Sequence, residues 1–356
     1  MRVAVDVSPL SHQRTGVGNY IRGSLLGMTE AAAEDDEIVA FAPASRGGRR
    51  AIDAALDGIA VERRVAALPA AHLLRTAWSR IAWPPAERFL GRLDVLHFGD
   101  WMVPPQRNGV RSTMVHDLVP VHHPDWVHPD TAALHGAKLR HLLACDLVFT
   151  NARFTADDVA DTLGVPIERL RVAYPGVGAE FVAEGERADL GRPYVLTVAT
   201  LEPRKNLGTL VDAYRLLGAE DLALAVVGAA GWGERPALGQ PGVLLLGYTA
   251  NEELPRLYRG ASVFVYPSRF EGFGMPVLEA MACGVPCVVS SHPSLDEACG
   301  GAAVRVDPED AEAMADGIRR ALAEREMLAA AGLAHAAPFT WRENGRVHLE
   351  AFREAL

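Results

Sequence analysis

The feature that most constrains this chain is a rhythm of short apolar runs that plays twice. RVAVDV (2–7), IVAFA (38–42), LDVLHF (93–98), STMVH (112–116) and LVFT (147–150) are each bounded by polar, Gly or Pro residues. Helical patterns lie between them, for example over 130–144 and 154–163. After Tyr174-Pro175-Gly176 the series restarts with YVLTVA (194–199), LALAVV (222–227), VLLLG (243–247), SVFVY (262–266) and PCVVS (286–290). Strands that are apolar throughout and alternate with helices belong to parallel sheets covered on both faces. The fold class expected is α/β: two doubly wound, Rossmann-like parallel-sheet domains facing across a cleft. Residues 1–175 form the first domain and 190–340 the second, joined near 174–192. Ligands of such sheets bind outside the carboxyl ends of the strands. The tail from Trp341 has Val347, Leu349, Phe352 and Leu356 near helical spacing. It either caps the second domain or returns to pack on the first.

At 356 residues the chain has room for two cores. A formal net charge of -10 argues against a nucleic-acid polymer as partner. The charge is uneven: residues 1–175 carry 19 Lys and Arg against 20 Asp and Glu, and residues 176–356 carry 16 against 25. Cys145, Cys283, Cys287 and Cys299 form no CxxC pair and read as reduced, buried thiols. The opening MRVAVDVSPL is a strand rather than a leader, and no run approaches bilayer length. The expected location is the cytoplasm, with any membrane contact peripheral, at the inner face.

The chemistry concentrates in SRFEGFGMPVLEAMACGVPCVVS (268–290). Pro276 suits the first position of a helix, where its missing N–H costs nothing. Glu271 to Met275 then form a loop in which Gly272 and Gly274 let a ligand approach the backbone. Free amides and the helix dipole favour an anion there, phosphate above all. Glu279 falls one turn inside the helix, where a carboxylate suits sugar hydroxyls better than phosphate. Glu271 can serve a second sugar from the loop. One carboxylate per sugar with a phosphate bridge between them describes a nucleotide sugar.

EGFGMPVLEAMACGVP resembles the E-x7-E signature of glycosyltransferase family 4, the retaining enzymes with two facing Rossmann-like domains (GT-B type). The likeness spans essentially the whole chain: TGVGNY (15–20), VHDLVP (115–120), LEPRKN (201–206), LGYTANEELPRLYRGA (246–261) and FTW (339–341) follow in the family's order. The resemblance implies that Glu279 holds the ribose, while Glu271 with the Phe273, Gly274 and Met275 amides holds the transferred sugar and phosphate. Lys205 would pair with the distal phosphate and Arg204 would add a planar fork. Many members carry a Gly-Arg pair about five residues before that lysine; here Ala199-Thr200 stands there, so the role passes to Arg204. His116 would contact the donor sugar, with Asp117 orienting its imidazole or binding an acceptor hydroxyl. Gly16 and Gly18 would approach the donor phosphates, and Gly247-Tyr248-Thr249 would read the base. The last helix, 341–356, would return to the first domain.

The reaction implied is hexosyl transfer from GDP-mannose or a dTDP- or UDP-sugar to an acceptor hydroxyl, with retention, in glycan, glycolipid or natural-product synthesis. The likeness is to mannosyl- and rhamnosyltransferases in particular. No cofactor and no metal are called for, since no DxD-like pair ends a strand. His122, His123 and His128 in VPVHHPDWVHPD lack metal-ligand spacing and read as an acceptor-binding loop. The segment 72–92 interleaves Arg75, Arg80, Arg88 and Arg92 with Trp78 and Trp83. It is either a solvated domain helix or a surface for a phospholipid, a lipid-linked acceptor or a carbohydrate. Competing functions are a glycoside hydrolase using Glu271 and Glu279 as its pair, a phosphorylase of the same fold, and an inactive nucleotide-sugar-binding module.

Overall fold

The computed structural model describes residues 1–68, 71–78, 83–99, 103–231 and 238–356. It divides into two compact units. One comprises Met1–Val121, Pro129–Gly176 and Phe339–Leu356, the other His122–His128 and Val177–Pro338.

The first unit runs β1 (Arg2–Asp6), α1 (Gly16–Ala31), β2 (Glu37–Ala44), α2 (Arg46–Ala55), β3 (Glu62–Ala67), α3 (Ala71–Trp78), α4 (Glu87–Leu90), β4 (Val95–Phe98), β5 (Val110–Val115), α5 (Val119–His122), α6 (Pro129–Leu139), β6 (Leu147–Thr150), α7 (Arg153–Leu163) and β7 (Leu170–Val172). The sheet order is β3-β2-β1-β4-β5-β6-β7, parallel throughout. Strand order reverses between β1 and β4. The central strands are buried on both faces, which is why they read as unbroken apolar runs. Two strands escape that reading for the same reason. β3 (ERRVAA) is an edge strand with exposed charges, and β7 is three residues long. The helix expected over 130–144 is α6 followed by a separate 3-10 turn, Leu142–Ala144.

The second unit runs β8 (Tyr194–Val198), α8 (Leu207–Leu217), β9 (Ala223–Val227), β10 (Val243–Gly247), α9 (Leu254–Gly260), β11 (Val263–Tyr266), α10 (Met275–Ala282), β12 (Cys287–Ser290), α11 (Asp296–Cys299), β13 (Ala303–Val306), α12 (Ala311–Ala323) and α13 (Arg325–Ala336). Its sheet, β10-β9-β8-β11-β12-β13, is again all parallel. The core on one face joins Val195, Leu224, Val226, Val265 and Val288 to Leu210, Met314 and Ile318 from α8 and α12. The sheet order reverses between β8 and β11, so the loops after those two strands emerge side by side. That reversal is where an open α/β sheet leaves a crevice for ligand.

The tail folds as α14 (Trp341–Ala355) and packs along α1. Glycines permit the approach: a Cβ at Gly27 would lie 1.7 Å from the Trp341 carbonyl oxygen, and one at Gly345 would lie 2.0 Å from the Gly27 carbonyl carbon. Asn344, fully buried, ties the two helices to the departing chain. Its Nδ2 donates to the Tyr20 hydroxyl (3.1 Å) and to the carbonyls of Ala173 (3.1 Å) and Tyr174 (2.7 Å). No helix among the described residues is long and apolar enough to cross a membrane. In the segment 72–92, Trp78 and Arg75 are buried while Leu73 and Trp83 are exposed; Arg80 lies outside the described residues.

Candidate active site

In the second unit the loops at the strand reversal bring three predicted residues together, Arg204, Lys205 and Glu271. The chain leaves β8 through LEPRKN, where Pro203–Lys205 form a 3-10 turn closed by Asn206 in the left-handed region (φ 54°). Asn tolerates that conformation better than most residues, and its side chain accepts from Thr209 and donates to the Pro308 carbonyl. The turn carries Lys205 inward, where it is buried. There Lys205 Nζ donates to Glu271 Oε1 (2.5 Å) and to the Tyr266 hydroxyl (2.9 Å), while Arg204 Nη1 donates to Glu271 Oε2 (2.9 Å). Tyr266, the last residue of β11, also donates to Glu271 Oε1 (3.0 Å). Arg204 reaches back to Glu202 as well (3.1 Å).

Glu271 is thus enclosed by two cations and a phenol. Burial alone would raise its carboxyl, but Arg204 and Lys205 outweigh that and hold it at about 2. Burial pushes the Lys205 ammonium below its ordinary value, with the Arg204 charge adding to it and Glu271 opposing. The sequence reading assigned these cations to phosphate and Glu271 to sugar; here they first satisfy each other. Both cations are thus engaged by a carboxylate rather than bare.

Gly274 precedes α10 with φ 106°, and a Cβ there would meet Leu295 at 2.6 Å. Both facts call for glycine. Met275 is the first helical residue and Pro276 the second, one place later than expected. The proline is still harmless, since the first turn's amides have no intrahelical acceptor. The Glu271 amide donates to Ser294 Oγ (3.0 Å), and that hydroxyl lies 2.9 Å from His292 Nδ1. Glu279 lies one turn along α10, where its Oε2 accepts from Tyr258 (2.9 Å). Burial lifts the Glu279 carboxyl to about 7, and the charge of Glu180 adds to the lift. Gly247 ends the edge strand β10 with φ 69°, and its carbonyl accepts from the Gly228 amide (2.8 Å). Tyr248 beyond it is exposed.

His122 and His123 belong to this unit too, with ring centroids each 6.0 Å from Phe270, and His123 stacks on Trp126 at 3.8 Å. Among the described residues no three His, Cys, Asp or Glu side chains group in a way that could hold a metal ion.

In the first unit His116 follows β5 immediately rather than ending it. One ring nitrogen bonds the Gly99 carbonyl, and Nε2 is buried without a hydrogen-bond partner among the described residues. Burial, with Lys138 and His135 adding repulsion, holds the imidazole neutral at about 3. Its orientation comes from Gly99 and from the edge of Tyr20 (5.2 Å). Asp117 does not orient it: its Oδ1 instead accepts from the Val119 amide (3.1 Å) at the start of α5. Gly16 opens α1 with nothing within 4 Å of a Cβ, and Gly18 would make only ordinary contacts. The chain's own packing therefore does not demand glycine at either place.

Sequence reasoning missed Tyr266, Tyr258, Ser294 and Tyr20. Three are hydroxyl donors placed by strand ends or neighbouring helices. Tyr20, inside TGVGNY, and Tyr258, inside LGYTANEELPRLYRGA, stood within motifs already singled out.

With the geometry in view, comparison with known proteins defines the class. The family described as Glycosyl transferases group 1 matches residues 180–334, and Glycosyltransferase Family 4 matches 17–181. The O-antigen chain mannosyltransferase B of Escherichia coli is 30% identical over 383 residues, covering 99% of this chain and 100% of that one. A serotype-specific mannosyltransferase, WbdA, from the same organism is 28% identical over 268 residues, 68% of this chain and 33% of that longer protein. Among solved structures, sucrose-phosphate synthase from Thermosynechococcus elongatus superposes with TM-score 0.74 at 19% identity, covering 99% and 98% of the two chains. Anabaena HepE in complex with UDP and glucose gives 0.71 at 16%, covering 100% and 99%. The chain belongs to the family 4 glycosyltransferases and has the two-domain GT-B fold. It is a hexosyltransferase of glycan biosynthesis whose donor is a nucleotide sugar.

Proposed function

We propose that the protein transfers mannose from a nucleoside-diphosphate mannose, GDP-mannose first among candidates, to a hydroxyl of a growing glycan, with retention of configuration. The observation that carries this is the Lys205–Glu271–Arg204 cluster at the glycine-rich start of α10, with Glu279 one turn inside. The mannosyltransferase names of the relatives favour the sugar. Glu279 binds the ribose diol, which favours a ribonucleotide donor over a deoxyribose one. Lys205, Arg204 and the α10 amides stabilise the leaving diphosphate. Glu271, exchanged from its cations, accepts hydroxyls of the transferred sugar beside the Phe273-Gly274-Met275 backbone. Gly16 and Gly18 leave room for donor phosphates, the backbone at Gly247-Tyr248-Thr249 reads the base, and neutral His116 bonds the transferred sugar through Nε2.

In the step itself the C1–O bond to the diphosphate breaks and a new C1–O bond forms on the same face. The acceptor's hydroxyl proton passes to the departing phosphate oxygen. No protein carboxylate is required as nucleophile, because both glutamates are already committed to binding. The exposed Leu73 and Trp83 with the exposed Arg88 and Arg92 are the candidate surface for a lipid-linked acceptor or its membrane.

Incubation with GDP-mannose, UDP-glucose and a dTDP-sugar plus a mannan oligosaccharide tests the reading. Acceptor-dependent release of GDP and an α-linked product by NMR are expected. Sugar release without nucleoside diphosphate would identify a hydrolase, and dependence on free orthophosphate would identify a phosphorylase.

A further inference from the structure

The two oxygens of Glu279 have different surroundings. Oε2 accepts from the Tyr258 hydroxyl at 2.9 Å, while Oε1 accepts nothing from the described residues and the side chain is only partly buried. Tyr258 is wholly buried in α9, edge-on to Phe181 (5.9 Å) and Phe264 (5.5 Å). Phenylalanine would fill that aromatic slot equally well, so packing does not account for the hydroxyl. Burial and the neighbouring carboxyl hold the phenol protonated far above neutral pH, which keeps it a donor throughout the working range.

We propose that Tyr258 is a positioning residue for nucleotide binding: its hydroxyl holds Oε2 of Glu279 so that Oε1 is presented to the diol of the nucleotide's ribose. This rests on Glu279 being the ribose ligand, as proposed above. A diol donates two hydrogen bonds best to a carboxylate, and a hydrogen bond to the charged form favours that form. The surroundings otherwise oppose ionisation. Besides Tyr258 from α9, the carboxyl faces Cys283, the residue that closes α10, and Glu180 from the segment before β8. Arg259 stands beyond them, against the Glu180 carbonyl and Cys283. Burial and Glu180 raise the carboxyl; the Tyr258 bond lowers it. Tyr258 therefore sets where on the pH axis the ribose site becomes competent.

The test is calorimetry with GDP-mannose and UDP-glucose between about pH 6 and pH 8.5. Their phosphates are diesters, so the ligands do not themselves titrate there. Wild-type affinity should rise about tenfold between pH 6 and 8 as Glu279 ionises. Tyr258→Phe should move that rise to higher pH. It should bind roughly tenfold more weakly at pH 7 and approach wild type at the alkaline end. Replacing Tyr258 by 3-fluorotyrosine, a stronger donor of nearly the same shape, should move the rise to lower pH, and it serves even if the Phe variant folds poorly. Glu279→Gln should bind weakly with a flat profile. If Glu279→Gln binds like wild type, or neither probe binds, the ribose assignment fails and takes this proposal with it. If Glu279→Gln is weakened but the Tyr258 variants keep the wild-type midpoint, or lose the same factor at every pH, Tyr258 has no positioning role.

Discussion

Glu271 and Glu279 stand eight residues apart in one motif, yet their surroundings differ in almost every respect. Glu271 is enclosed by Lys205, Arg204 and Tyr266 and stays ionised down to about pH 2. Glu279 has one phenolic donor, a carboxylate neighbour in Glu180, and a carboxyl lifted to about 7. The same residue type is thus a fixed charge in one place and a titratable one in the other. The loop glutamate holds both cations with its two oxygens. The helix glutamate has a donor from the described residues on one oxygen and none on the other. Neutrality around Glu271, with two cations against Glu271 and Glu202, also means that the site does not advertise a strong positive field before donor arrives.

The largest effect that would sharpen this contrast is Lys205→Ala. Removing one member of a buried ion pair costs about 3–5 kcal/mol when the other charge is stranded. Arg204 remains here, so a loss nearer the lower end is expected in urea unfolding. Turnover should fall by about 100-fold or more as the leaving group loses its cation. Glu271→Gln comes next. Turnover should drop by a comparable factor, but free nucleoside diphosphate should bind at least as tightly as to wild type, because Lys205 and Arg204 no longer need to be exchanged. Weaker binding of free diphosphate by this variant would break the idea that the carboxylate competes with phosphate.

Glu279→Ala should weaken free diphosphate and intact nucleotide sugar alike, by roughly tenfold, since both carry the ribose. Equal weakening of free diphosphate by the two glutamate variants would erase the division of labour between them. The two groups also push stability in opposite directions with pH. Glu271, depressed in the folded state, contributes stability above the unfolded carboxylate value, and that contribution disappears as pH falls from about 4.5 to about 2. Glu279, raised in the folded state, opposes folding as pH climbs from about 4.5 through 7. Discounted for partial exposure, the cost is on the order of 2 kcal/mol in ligand-free protein. Comparing the pH dependence of wild type and Glu279→Gln in chemical denaturation isolates that term. The smallest expected effect is that of EDTA. With Lys205 and Arg204 stabilising the diphosphate as proposed, activity should persist in chelator, and loss restored by manganese or magnesium would overturn that expectation.

Much of the scaffold was legible because fully buried parallel strands leave no polar alternation to confuse the reading. β1, β6, β8 and β11 sit within a residue of the runs that announced them. Edge strand β3 was not legible, since its charged residues face water on the sheet's border. At the site, the residue types in EGFGMPVLE and PRKN pointed to phosphate and sugar without any coordinates. Their pairing did not. Nothing in the spacing says that Arg204 and Lys205, 67 and 66 positions from Glu271, close on its two oxygens. That contact depends on β8 and β11 being neighbours although two strands separate them in the chain. Asp117 shows the opposite failure, where an acid beside a histidine suggested a partner and local backbone claimed it.

The sequence by itself determined the kind of fold, the family and the chemical character of the site, because apolar periodicity, glycine turns and charge type are local properties. Tertiary structure decided the state of each charge. Whether a carboxyl sits near 2 or near 7 depends on which distant groups the sheet order delivers to it and how much water they exclude. Tyr258 from α9 and Lys205 from the turn after β8 reach their glutamates only through that order.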